Sequence, residues 1–148
     1  MVSSILCICT GNICRSPLAE AALQDALPEV SVSSAGLHAL VGHPVEPNAA
    51  QSARDLSLPL KAEHSARQLK REYLGAADLI LVMDKGHLDE IRRGWPEFSG
   101  KTLLLGHFED RKEIPDPYRR DYARFLEAAE MIRDNAAIWV RQIKAMRK

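Results

Sequence analysis

The chain has 148 residues, 46% hydrophobic and 27% charged, with 20 lysines and arginines against 20 aspartates and glutamates. A chain of that length can bury roughly 70% of its unfolded surface, so one domain over residues 1–148 is expected. Zero formal charge argues against a nucleic-acid or membrane-binding surface, and no apolar stretch approaches the length of a membrane span.

The first predicted element is a buried strand at residues 3–9, carrying the apolar run Ile5-Leu6-Cys7-Ile8. It runs directly into Cys9-Thr10-Gly11-Asn12-Ile13-Cys14-Arg15, then Ser16-Pro17 and a helical pattern over 17–27. Strand, tight polar loop and helix start form an architecture that binds phosphate, because unpaired N–H groups and the positive helix end converge there. Gly11 and Asn12 tolerate left-handed backbone geometry, so the loop can curl its amides inward. A thiol at the floor of such a nest is favoured as thiolate, and an arginine at its end can clamp two phosphate oxygens with its planar fork. Cys9 on its own could be a small buried hydrophobe and Arg15 a surface cation; the shared context favours nucleophile and clamp. Ser16 before Pro17 also suits a helix N-cap.

Further strands are expected at 30–34, 78–83 and 102–106, and further helices at 47–56, 66–74 and 85–93. In the last helix Tyr122, Phe125, Ala129, Ile132, Ala136, Trp139 and Ile143 recur at three- and four-residue spacing, marking one core-facing stripe. Alternating strands and helices imply right-handed crossovers and an open α/β sheet covered on both faces, with ligands at the carboxyl ends of the strands. Of the remaining groups, Asp116-Pro117 taken alone reads more readily as a plain turn. Thiolate attack on phosphorus, however, needs an acid opposite the nucleophile to protonate the leaving group. The five histidines form no H-x-H or H-E-x-x-H pair, so no metal and no other cofactor is expected. Cys7, Cys9 and Cys14 all precede Arg15 and make no disulfide framework, which fits a reducing cytoplasm.

The nine-residue run Cys9-Thr10-Gly11-Asn12-Ile13-Cys14-Arg15-Ser16-Pro17 resembles the signature of the low-molecular-weight protein tyrosine phosphatases. The resemblance continues through Ser34-Ala35-Gly36, Ala66-Arg67-Gln68, Leu81-Val82-Met83-Asp84 and Asp116-Pro117-Tyr118. Within that family the chain is most similar to the bacterial members associated with exopolysaccharide export. The resemblance implies a four-stranded parallel sheet of order 2-1-3-4. It implies metal-independent hydrolysis of phosphotyrosine through a phosphocysteine, with Cys9 as nucleophile, Arg15 as clamp and Asp116 as general acid and base. Thr10, Gly11, Asn12, Ile13 and Cys14 would form the phosphate loop, and the Ser16 hydroxyl would bond the Cys9 sulfur. His64 would support Asn12, and Tyr118 would stack on the substrate ring. Leu37 and His38 fall where the family has a variable pocket wall, though a plain loop reads almost as well. Cys14 is a core residue or the partner of Cys9 in a reversible disulfide. Glu46-Pro47 departs from the family's usual Asp-Pro. The implied partner is a phosphotyrosine protein, a bacterial tyrosine autokinase, with inorganic phosphate as product and inhibitor. A cytoplasmic monomer is expected.

Three rivals remain. Arsenate reduction on the same fold would need resolving cysteines downstream, and none follows Cys14. A zinc or redox-sensing module would need a second ligand pair beyond the three cysteines. A nucleotide-binding P-loop would need Gly-Lys-Ser/Thr after the glycine.

Overall fold

The computed structural model describes residues 1–147. β1 (Ser4–Cys9) leads into α1 (Arg15–Ala26), followed by β2 (Ser31–Gly36), α2 (Pro47–Asp55) and α3 (Arg71–Ala76). β3 (Leu79–Val82), α4 (Lys85–Gly94), a 3-10 segment (Pro96–Lys101), β4 (Thr102–Leu104) and α5 (Tyr122–Ala145) complete the order. The four strands form one sheet in the order β2-β1-β3-β4. All pairings are parallel, with Ile8 of β1 opposite both Ala35 of β2 and Val82 of β3.

Successive side chains of a strand point to opposite faces, and the core divides accordingly. Ile5, Cys7, Cys9, Leu79 and Leu81 enter a cluster with Leu18, Leu23, Phe125, Ile132 and Trp139. Leu6, Ile8, Ile80, Val82 and Leu104 enter a second with Leu74 and Ile91. α1, α2 and α5 therefore cover one face, and α3, α4 and the 3-10 segment the other. The α5 stripe read from periodicity is buried at every position but Tyr122, which is half-buried. Trp139 also donates its indole N–H to Leu105 O at 2.8 Å, tying α5 to the end of β4.

Helix starts differ in a way that matters for the site. α2, α4 and α5 are each capped by a carboxylate: Glu46 on Asn48 N, Asp84 on His87 N, and Asp121 on Arg124 N. α1 has no side-chain cap and no acidic residue in its first turn. An acid there would compete with a bound anion for the same N–H groups and field.

Some expectations need correction. Residues 66–70 are not helical, so the predicted helix at 66–74 shrinks to α3. The segment instead runs beside the end of β2, where Gly36 bridges Gln68 and Leu69 N donates to Gly36 O at 2.9 Å. Ser16 is not an N-cap: Cys14 holds that position and Ser16 lies inside the first turn, its hydroxyl turned to other partners. β2 runs two residues beyond the predicted 34, while β4 stops at Leu104.

Candidate active site

The loop after β1 is shaped from outside. Its carbonyls from Cys9 to Ile13 each accept a hydrogen bond from a surrounding segment. Leu37 N reaches Cys9 O (3.0 Å), His38 N reaches Thr10 O (2.9 Å) and Leu40 N reaches Gly11 O (3.1 Å). His64 Nε2 donates to Asn12 O at 2.7 Å and Glu46 N to Ile13 O at 2.8 Å. Five consecutive carbonyls are thus engaged from outside the loop. Among the described residues no N–H from Thr10 to Cys14 meets a protein acceptor. Asn12 makes the turn with φ of 60°. Gly36 permits the close approach of β2, since a Cβ there would stand 2.6 Å from Thr10 O.

In this loop Cys9 is 2% exposed, and its sulfur lies 2.9 Å from Ser16 Oγ. Asn12, fully buried, donates through Nδ2 to Ser16 Oγ (2.8 Å) and Ser34 Oγ (3.0 Å) and accepts Arg67 N at Oδ1 (3.0 Å). Ser34 passes its hydrogen to the buried carboxylate of Glu20 at 2.6 Å, and Lys61 pairs with that carboxylate at 3.2 Å.

Arg15, 2% exposed, is aimed by two partners on its Nη1: Asp84 Oδ2 at 2.9 Å and Ile114 O at 2.8 Å. Its Nη2 faces Asp116 Oδ2 at 3.7 Å. Burial alone would raise the Asp84 pKa. The His87 N–H, the His87 ring and Arg15 outweigh burial and hold it below the ordinary carboxylate range. Asp116 comes from a turn in which Tyr118 N donates to its Oδ1 at 3.1 Å. It lies about a hundred residues from Cys9 in sequence, yet both line one pocket of about 160 Å³.

That pocket brings together Cys9, Thr10, Gly11, Ile13, Cys14, Arg15, Asp116 and Tyr118, with Leu40 and His38 completing the wall. Tyr118 stands at the rim, 41% exposed. Leu37 does not line this pocket; it is buried in the core cluster that holds Ile8, Ala35 and Leu69, while His38 and Leu40 supply the lining. Asn12, Ser16 and His64 lie behind the loop rather than in the pocket. Burial, then the nearby Cys9, pushes the Cys14 thiol well up. Cys7 shares a sheet face with Cys9, and burial raises it too, with Glu20 adding to the effect.

Three contacts were beyond sequence reading. Asp84 on Arg15 and Ile114 O on Arg15 depend on the sheet order. The third is His87, buried beside Thr10, whose Oγ1 lies 3.0 Å from its Nε2. Met83 N donates to His87 Nδ1 at 3.3 Å, so the ring is neutral and Nε2 carries the hydrogen. Burial, then Arg15, lowers its pKa to about 4, in keeping with that tautomer.

The family described as low molecular weight phosphotyrosine protein phosphatase matches residues 4–148. A putative low molecular weight protein-tyrosine-phosphatase of Klebsiella pneumoniae is 43% identical over 145 residues, 98% of this chain and all of that one. The tyrosine phosphatase Wzb of Escherichia coli K30, solved with sulphate, superposes with a TM-score of 0.93 at 41% identity, over 97% of this chain and 99% of that one. The arginine phosphatase YwlE of Geobacillus stearothermophilus superposes with 0.89 at 32% identity, over 97% and 94%.

Proposed function

The chain belongs to the low molecular weight phosphotyrosine protein phosphatases, and we propose that it hydrolyses phosphotyrosine in two steps through a phosphocysteine on Cys9. The observation that carries this reading is a loop whose carbonyls are taken up by surrounding segments while its N–H groups meet no protein acceptor, set around a buried sulfur with a hydroxyl 2.9 Å from it and a fixed guanidinium beside it. A phosphate seated there has its oxygens on N–H donors and on the free edge of Arg15, with phosphorus above sulfur. In the first step the Cys9 sulfur bonds to phosphorus while the phenolic oxygen leaves, taking a proton from Asp116. In the second, water attacks phosphorus, Asp116 takes a proton from it, and the Cys9 sulfur leaves as thiolate, stabilised by the Ser16 hydroxyl. Phosphate is the product and, occupying the same cradle, a competitive inhibitor.

Ile13, Leu40 and Tyr118 give the pocket apolar and aromatic walls, which suit the phenyl ring of phosphotyrosine. The partner we assign is a bacterial tyrosine autokinase controlling exopolysaccharide or capsule production, and the support is the likeness to the exopolysaccharide-associated members. No described helix is long and apolar enough to cross a membrane, and we assign the enzyme to the cytoplasm as a monomer. The test is turnover of phosphotyrosine, phosphoserine and phosphoarginine peptides and of an autophosphorylated kinase tail, with Cys9→Ser as control. The reading expects phosphotyrosine to exceed the others by orders of magnitude. Comparable phosphoserine or phosphoarginine turnover would remove it.

A further inference from the structure

We infer that a groove beside Asp116, walled by Arg120, is a subsite for an acidic residue flanking the phosphotyrosine; the inference rests on the phosphotyrosine reading above. The groove, about 260 Å³, is lined by Pro115, Asp116, Pro117, Arg120, Arg124 and Glu127. Asp116 also lines the pocket over Cys9. The two depressions therefore meet across one side chain. A peptide whose phosphotyrosine enters the first lays its next residues over the second whenever it leaves on the Asp116 side.

The charges of the groove are unequally engaged. Glu127 is held by both oxygens on Arg124 Nη1, at 3.0 and 2.8 Å, so that pair neutralises itself. Asp116 faces Arg15 and accepts Tyr118 N. Asp121 accepts Arg124 N as the cap of α5. Arg120 has no carboxylate partner among the described residues; only its main-chain N–H is engaged, on Pro117 O at 2.9 Å. Arg119, next to it, meets only the Tyr118 ring, 5.5 Å from guanidinium to centroid. The Arg120 guanidinium is thus the groove cation left open to an incoming carboxylate. It is well placed. The Arg120 N–H closes a turn that Arg119 enters with φ of 66°, and α5 begins two residues later. A guanidinium anchored there offers a planar fork to a carboxylate passing over Pro117.

An exposed ion pair contributes about 0.2–1 kcal/mol, so the acidic preference it confers should be modest, up to about fivefold, and should shrink with salt. The experiment compares kcat/KM for phosphotyrosine peptides carrying Glu, Gln or Lys at each of the three positions on either side. The wild type is expected to favour Glu over Gln about three- to fivefold at one or two positions on a single side, through KM. Arg120→Ala should bring that ratio to one, and Arg120→Glu should invert it in favour of Lys. Arg133→Ala, remote on α5, should keep the wild-type ratio. Affinity of the same peptides for Cys9→Ser reads the subsite without turnover, so a failure of the hydrolysis reading and a failure of this one remain distinct. A Glu preference that survives Arg120→Glu, or equal kcat/KM for all three peptides at every position, would overturn the inference.

Discussion

Hydrogens around Cys9 can be assigned one at a time. Arg67 N–H fixes Oδ1 of Asn12, so Nδ2 must supply both Ser34 and Ser16. Ser34 gives its own hydrogen to Glu20, and Ser16, having accepted from Asn12, aims its hydrogen at the sulfur. A donor to a thiolate is a charge-assisted bond of about 1.5–3 kcal/mol, so Ser16→Ala should slow turnover about ten- to a hundredfold. Rapid-quench kinetics should place most of that loss where sulfur bears the charge; an unchanged rate would reduce Ser16 to packing. Asp116→Asn should slow phenyl phosphate at least about a hundredfold, but an aryl phosphate with an acidic phenol far less, since a good leaving group needs little protonation. A uniform loss across leaving groups would make Asp116 only a turn residue. His87 yields a pH prediction. Its folded pKa of about 4 lies below its ordinary value of 6.5, so the unfolded chain binds the extra proton first as pH falls. The stabilisation is complete above pH about 6.5 and is lost on the way down to about 4, by about 3 kcal/mol. Denaturant unfolding at pH 7 and 4.5 should show it, and His87→Asn should flatten the slope; an equal slope in the variant would contradict it.

At the scale of elements, the site exists because β2 and the segment after it wrap the loop that follows β1. Gly36 is the tightest point of that wrapping. In Gly36→Ala the new Cβ would meet Thr10 O, a main-chain atom that cannot swing aside, at 2.6 Å. The expected cost is about 1–3 kcal/mol of stability, with a larger relative loss of kcat because the displaced loop is the proposed phosphate cradle. Thermal unfolding beside kinetics would check it; a variant with wild-type kcat would show that the loop is held from elsewhere. The same wrapping explains what sequence reading missed. Residues 66–70 have side chains acceptable to a helix, but their main chain is claimed by Asn12, Gly36 and Gly42, and these tertiary bonds override local propensity. Leu37 was misplaced for a related reason, because the wall is set by how the loop leaves Gly36 and adjacent residues face opposite ways. Cys9 and Arg15 could be singled out because they share one short local motif, whereas the contact of Ser16 with the Cys9 sulfur came from family likeness, its local pattern suggesting an N-cap. Asp84, Ile114 and His87 could not be singled out, since no local pattern says that the end of β3 lies beside the end of β1.

For the whole molecule, the succession of strand and helix patterns and the α5 stripe were enough to foresee an α/β sheet covered on both faces, whereas the strand order came from family likeness and not from periodicity. The fold brings groups from three stretches of the chain, Cys9 and Arg15, Asp84, and Asp116, to one site. In the proposed mechanism Arg15 and the loop amides supply the neutralisation that phosphoryl transfer requires. Turnover should accordingly be the same in EDTA as in added magnesium, and a loss on chelation would mean that the charge is balanced by something other than this cradle. The central claim is that phosphorus passes through sulfur. It is tested most directly by acid-quenching the enzyme during turnover of a fast aryl phosphate and locating the protein-bound phosphorus by mass spectrometry. The account predicts an acid-trapped phosphocysteine at Cys9, enriched by slowing the water step with Asp116→Asn and absent from Cys9→Ser. Covalent phosphorus on any other residue, or turnover by Cys9→Ser at a tenth of the wild-type rate or more, would contradict it.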